Sequence, residues 1–132
     1  GMEKKWMDMP LKTRITARDA NNSKISYWHD IPTFPEGEAD NPDNMLVNFV
    51  AEIPEGSNAK MEIIKESESN PIKFDTKPIM IDGATAYRRP RYKAYGPYPF
   101  TYGAIPQTWE NSEEPDPITN IPGDNDPIDA FD

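Results

Sequence analysis

Three carboxylates fall within six residues in the stretch Gly123-Asp-Asn-Asp-Pro-Ile-Asp129. Asp124, Asp126 and Asp129, stiffened by Pro127, repel one another unless something positive stands among them. A hard divalent cation, bound by oxygen ligands, relieves that repulsion. The stretch is not an EF-hand loop: the sixth position of such a loop needs Gly, where this chain has Asp129, and the twelfth would lie beyond Asp132. Taken alone, the same residues also describe an exposed acidic turn, since short acidic patterns recur by chance.

Two further groups have types and spacing that suit phosphate chemistry. Glu52, Lys60 and Glu62 place a cation between carboxylates. They fit a phosphate contact beside acids that hold metal-bound waters, and equally a solvated face whose ion pairs contribute ~0–1 kcal/mol. Arg88-Arg89-Pro90-Arg91 is followed by Tyr92, Tyr95, Tyr98 and Tyr102. Guanidinium forks and phenol hydroxyls suit phosphate oxygens. Interleaved cations and aromatics also suit single-stranded nucleic acid, or a Pro-rich loop whose rings pack on a core. His29, the only histidine, follows Trp28 in an apolar run and reads as packing.

The elements that must position these groups are strands. Met45 to Ile53 alternates, with Met45, Val47, Phe49, Ala51 and Ile53 on one face and Leu46, Asn48, Val50 and Glu52 on the other. After Pro54-Glu55-Gly56-Ser57, the run Asn58 to Ile64 puts Ala59, Met61 and Ile63 on one side, and Lys60 with Glu62 on the opposite one. Two such runs around a Gly-containing turn predict a β-hairpin. Lys24 to His29 reads as a shorter strand and Arg14 to Thr16 as a weaker one; Pro71 to Phe74 and Ile79 to Ile81 are strand-like fragments. Pro32 to Asn44, with three Pro, four acids and a Gly, predicts a solvated loop. Eight of the 15 prolines fall in residues 90–132, which excludes continuous helix or central sheet there.

Composition narrows the classes. The chain has 132 residues and a net charge of −9, which speaks against a general nucleic-acid binder and for a cation holder. The absence of Cys excludes disulfides and thiolate metal sites. No apolar run approaches the ~18 residues of a membrane span. Leu, Ile, Val and Phe make up 22 of the 132 residues, a thin core that the 14 aromatic residues must reinforce. Gly1-Met2 reads as a cleavage scar before the native Met.

Several stretches taken in order resemble one family. Gly123 to Asp129 is similar to the aspartate motif of the family I soluble inorganic pyrophosphatases. Trp28-His-Asp-Ile-Pro32, Glu52-Ile-Pro-Glu-Gly-Ser-Asn-Ala-Lys-Met-Glu62, Asn70-Pro-Ile72, Tyr98-Pro-Phe-Thr-Tyr-Gly103 and Ala104-Ile-Pro-Gln-Thr-Trp-Glu110 resemble its eukaryotic branch, over roughly residues 25–132.

The resemblance implies a mainly β fold, an OB-like five-stranded barrel, with an N-terminal extension at 1–23 and the N-terminal portion of the domain at 24–132. It implies hydrolysis of diphosphate to two phosphates with Mg²⁺. Asp124 and Asp129 would ligate metal, Asp129 bridging two ions; Asp126 would orient and deprotonate the attacking water; Glu52 and Glu62 would act through metal-bound waters. Lys60 and Tyr102 would contact phosphate, and Tyr98 would donate a proton or support Tyr102. The family's phosphate-binding Arg corresponds to Arg91, from the spacing Arg-aromatic-x-x-x-Gly, with Arg88 second. Family members continue with further strands, two more Asp, a Lys and a Tyr-Lys pair that have no counterpart here, so the resemblance implies a truncated barrel that folds poorly or by association and turns over little diphosphate. It also implies a homodimeric parent in the cytoplasm, or alternatively in a mitochondrion or an acidic polyphosphate-storing organelle, with no nucleic-acid or membrane partner. The alternative function is a non-catalytic OB-like binding or assembly module.

Overall fold

Pro, Gly and Asn punctuate this chain so often that its strands stay short. A computed structural model describes residues 11–43, 46–94 and 96–132; Met45 and Tyr95 lie outside the described residues. The fold is mainly β. Its strands are β1 (Ala17–Arg18), β2 (Lys24–Ile25), β3 (Val50–Ile53), β4 (Met61–Ile63), β5 (Ile72–Phe74), β6 (Thr76–Ile81), β7 (Ala84–Pro90), β8 (Tyr102–Ile105) and β9 (Ile128–Phe131). They pair antiparallel as β3-β8-β9, β4-β5, β6-β7 and β1-β2, and these ladders do not close into a ring among the described residues.

The core sits where these ladders meet. Val50, Ile63, Ile72 and Ala104 are buried together, with Tyr27, Ile31 and Met61 packed on them. Ile15 exchanges both backbone hydrogen bonds with Ile72, which ties the segment before β1 to β5. Gly103 lets β8 approach β3: a Cβ there would stand 1.9 Å from the Val50 carbonyl oxygen.

The expected hairpin of residues 45–64 does not form. β3 pairs with β8 and β4 with β5. The turn between them is held elsewhere: Gly56 N–H donates to the Tyr98 carbonyl at 2.8 Å, Glu55 N–H to Thr101 Oγ1 at 3.1 Å, and Lys60 N–H to the Arg91 carbonyl at 3.0 Å. The alternation along β3 also breaks. A register shift between Ala51 and Ile53 turns Val50 and Ile53, three residues apart, both inward. The hairpin that forms is β6–β7, closed by Asp82-Gly83 with φ of +52° and +78°. Asp-Gly with both φ positive suits the type I′ turn that matches strand twist. Lys24 to His29 is strand only at Lys24–Ile25, because the Ser26 hydroxyl accepts from the Trp28 and His29 N–H groups and curls the chain. Strand near Arg14–Thr16 is a single bridge at Ile15, with β1 beginning at Ala17.

Candidate active site

Lys60 and Glu62 flank Met61, which turns onto the core while they turn outward with Glu52. The Glu52 carboxylate accepts the Ile63 N–H at 2.9 Å, so a side chain makes the link between β3 and β4 that a backbone ladder would otherwise make. These three residues and Tyr102 of β8 line a cleft of about 340 Å³ together with Asp124, Asp126 and Asp129. The sequence separates these residues by up to 77 positions, and the β3-β8-β9 sheet brings them to one place.

The acidic loop is shaped by the segment after β8. Trp109 Nε1–H donates to Asn125 Oδ1 at 2.9 Å, and Asn125 adopts φ +68° between two aspartates. Asn125 N–H donates to the Glu110 carbonyl at 3.0 Å and Glu110 N–H to the Asp126 carbonyl at 2.8 Å. Gly123 packs so closely that a Cβ would meet the Glu110 carbonyl oxygen at 2.4 Å. Asp126 N–H donates to Asp124 Oδ1 at 2.9 Å, and Thr108 Oγ1 accepts Ile128 N–H at 2.9 Å where β9 begins.

Burial among like charges sets the electrostatics. Desolvation pushes the Glu52 carboxyl up to about 7, assisted by Asp129, Glu62 and Asp126 and opposed by the Ile63 N–H. Glu62 is raised by desolvation and then by Asp75. The Tyr102 phenol is raised by burial and by its bond to the Asp129 carboxylate. Glu110 is raised by desolvation and by its bond to Asp124. Lys65 Nζ stands 2.8 Å from Asp126 Oδ1, and that bond raises the ammonium's pKa.

The basic groups stand alongside. Lys60 and Arg91 both pair with Asp75, Arg91 Nη1 at 3.5 Å. Arg88 points to the other face of its ribbon, where Nε–H donates to Thr76 Oγ1 at 2.8 Å. Tyr98 does not line the acidic cleft; its ring lies edge-on to Tyr102 at 6.3 Å and under Lys93 Nζ at 5.1 Å. His29 is exposed and stacks on Trp28 with centroids 5.0 Å apart. Asp75, Lys65 and Glu110 have no pattern of their own in the sequence. Asp75 becomes legible only once Asp82-Gly83 is read as a hairpin turn, which sets Asp75, just before β6, beside Arg91, just after β7.

Among the described residues, no three acidic or imidazole side chains converge closely enough to hold one ion by themselves. The donor set nevertheless fits a hard cation: the cleft offers carboxylates and a phenol, with no thiolate or imidazole. A cation that keeps several waters and takes few protein ligands, as Mg²⁺ does, suits acids spaced this way.

Comparison with known proteins places these observations. A family model described as inorganic pyrophosphatase matches residues 49–132. The inorganic pyrophosphatase of Dictyostelium discoideum is 42% identical over 110 residues, covering 83% of this chain and 34% of that protein. The crystal structure of type I inorganic pyrophosphatase from Toxoplasma gondii superposes with TM-score 0.70 at 37% identity, covering 89% of this chain and 47% of that one. That of inorganic pyrophosphatase from Schistosoma japonicum gives 0.68 at 41%, covering 88% and 37%. The chain thus spans about a third of the length of the curated relatives it matches.

Proposed function

Because this chain belongs to the inorganic pyrophosphatase family, we propose that it serves the Mg²⁺-dependent hydrolysis of inorganic diphosphate to two phosphates. The observation that carries this reading is Lys60, which lines both the acidic cleft and a neighbouring basic groove. A metal-binding wall and a phosphate-binding wall therefore meet at one side chain.

Asp124, Asp126 and Asp129 would hold the cations, with Glu52 and Glu62 reaching them through water. Bound there, Mg²⁺ supplies a readily ionised water and offsets charge on phosphoryl oxygens. Asp126 accepts the proton of the attacking water, and Lys65 balances its charge meanwhile. Lys60, Arg91 and Tyr102 orient the phosphoryl oxygens and stabilise the charge that develops as the bridging P–O bond breaks. Arg88, bonded to Thr76, is the second choice for the phosphate-binding guanidinium. Tyr98 supports the Tyr102 ring rather than donating a proton, in keeping with its place outside the cleft.

Residues 24–132 form the pyrophosphatase portion in this reading, with 1–23 an extension whose Ile15 rests against Ile72. Homodimeric association belongs to the same reading and is tested by sedimentation of the parent protein. Among the described residues no helix is long and apolar enough to cross a membrane.

The 132 residues alone are expected to turn over little diphosphate, so phosphate release with Mg²⁺ by the longer parent protein tests the reading, alongside Mg²⁺ binding by calorimetry. Asp126→Asn is expected to lower release by at least ~10²–10⁴-fold, the contribution of proton acceptance to rate. Release that is unchanged in Asp126→Asn would overturn the assignment.

A further inference from the structure

One face of the β6–β7 ribbon holds more positive charge than diphosphate recognition uses. Side chains alternate along each strand, so Asp75, Lys77, Arg89 and Arg91 share that face, with Arg88 and Thr76 on the other. The row nearest the acidic cleft has one carboxylate for two cations, because Asp75 pairs with both Lys60 and Arg91. The next row has none. Lys77 stands directly opposite Arg89, and among the described residues neither has a carboxylate within ion-pair reach. Like charges directly opposed across strands destabilise a ribbon. This ribbon has no covering layer on which the two side chains could spread their charge, and both are exposed.

Lys60, Lys77, Arg89, Pro90, Arg91 and Tyr92 together line an open groove of about 430 Å³. In a chain of net charge −9, four cations around one groove are a local reversal of sign. The two rows lie about 7 Å apart, two residues at ~3.4 Å each. A single phosphate that neutralises one row leaves the other uncompensated.

We propose that Lys77 and Arg89 form an outer anion subsite that continues the Lys60–Arg91 row, so that the groove takes a linear polyphosphate longer than diphosphate. The identity of the inner position rests on the diphosphatase reading; the outer one rests on the unpaired row alone. Guanidinium and ammonium groups recognise successive phosphoryl oxygens by charge-assisted hydrogen bonds, and Arg89 does so with a planar fork. The groove's own charge is positive, so this binding needs no divalent cation.

Calorimetric titration of inorganic tripolyphosphate in EDTA tests the subsite, with orthophosphate and an oligothymidylate as comparison ligands. Lys77→Gln/Arg89→Gln is expected to weaken tripolyphosphate binding at least ~10-fold, from two lost charge-assisted contacts. Lys77→Arg/Arg89→Lys, which keeps the charge, is expected to retain binding within ~3-fold. Both positions are exposed, so the thermal midpoint is expected to stay unchanged, and phosphate release from diphosphate with Mg²⁺ likewise. Tripolyphosphate affinity equal in wild type and the Gln variant overturns the subsite. So does orthophosphate binding as tightly as tripolyphosphate, and an oligothymidylate that binds more tightly points instead to a nucleic-acid surface. Failure of diphosphate turnover by the longer parent protein, with Gln-sensitive tripolyphosphate binding, would sink the diphosphatase reading and leave the subsite standing.

Discussion

Arg88 and Arg91 are three residues apart and carry the same charge, yet the ribbon sends them to opposite faces. The guanidinium of Arg88 is already engaged by the Thr76 hydroxyl and carbonyl, at 2.8 and 3.2 Å. Arg91 shares Asp75 with Lys60, beside the acidic cleft. Charge-assisted contacts contribute ~1.5–3 kcal/mol, or about 10–100-fold in affinity. Arg91→Ala is therefore expected to weaken diphosphate binding by ~10–100-fold, against less than ~3-fold for Arg88→Ala, read by calorimetry. Equal small effects would show that neither guanidinium reaches the substrate. The spacing of Arg91 from Gly96 points to the same residue, but only the parity of β7 supplies a physical reason to prefer it.

At the scale of elements, the chain's strongest hairpin signal is Asp82-Gly83, while the alternating runs around Gly56 look equally persuasive by pattern. Pattern says which residues share a face; it does not say which strand lies alongside. β3 takes β8 as its neighbour because Gly103 permits an approach that any side chain would block. Gly103→Ala is expected to destabilise the fold by about 3 kcal/mol, the upper end of the cost of overpacking, measured by urea unfolding. A loss below ~0.5 kcal/mol would mean that β8 does not pack on β3 in this register. The same pairing explains why Glu52, on the opposite face from Ile53 by alternation, still reaches β4: the bulge rotates it toward Ile63.

For the whole molecule, the balance of charge decides how folding responds to cations. Six carboxylates around one cleft, against Lys60, Lys65 and Lys73, leave the folded state repelling itself there. A cation that binds the folded state alone stabilises it by ~2.7 kcal/mol at one hundred times its Kd. For 132 residues that corresponds to a rise of about 10 °C in Tm. Saturating Mg²⁺ is expected to give such a shift by scanning calorimetry, and Asp129→Asn to remove most of it. An unchanged wild-type Tm would argue against a cation site in the cleft.

The chemistry of this protein is legible in its residues: an acidic loop ordered by Gly and Pro, a Lys between two Glu, and Arg followed by Tyr. Those groups declare themselves because reactivity is a property of side-chain type and close spacing. Strand positions at Ile72–Phe74 and Val50–Ile53 are legible as well, from apolar runs bounded by turn residues, although the register shift in β3 overturns the faces that alternation assigned there. Tertiary structure decided the rest: that β3 pairs with β8 instead of β4, that Asp75 pairs with both Lys60 and Arg91, and that Lys65 faces Asp126. Partner choice between strands depends on which backbones can approach within hydrogen-bonding distance. That approach is set by single residues such as Gly103 and by contacts far apart in the chain, neither of which leaves a local period to read.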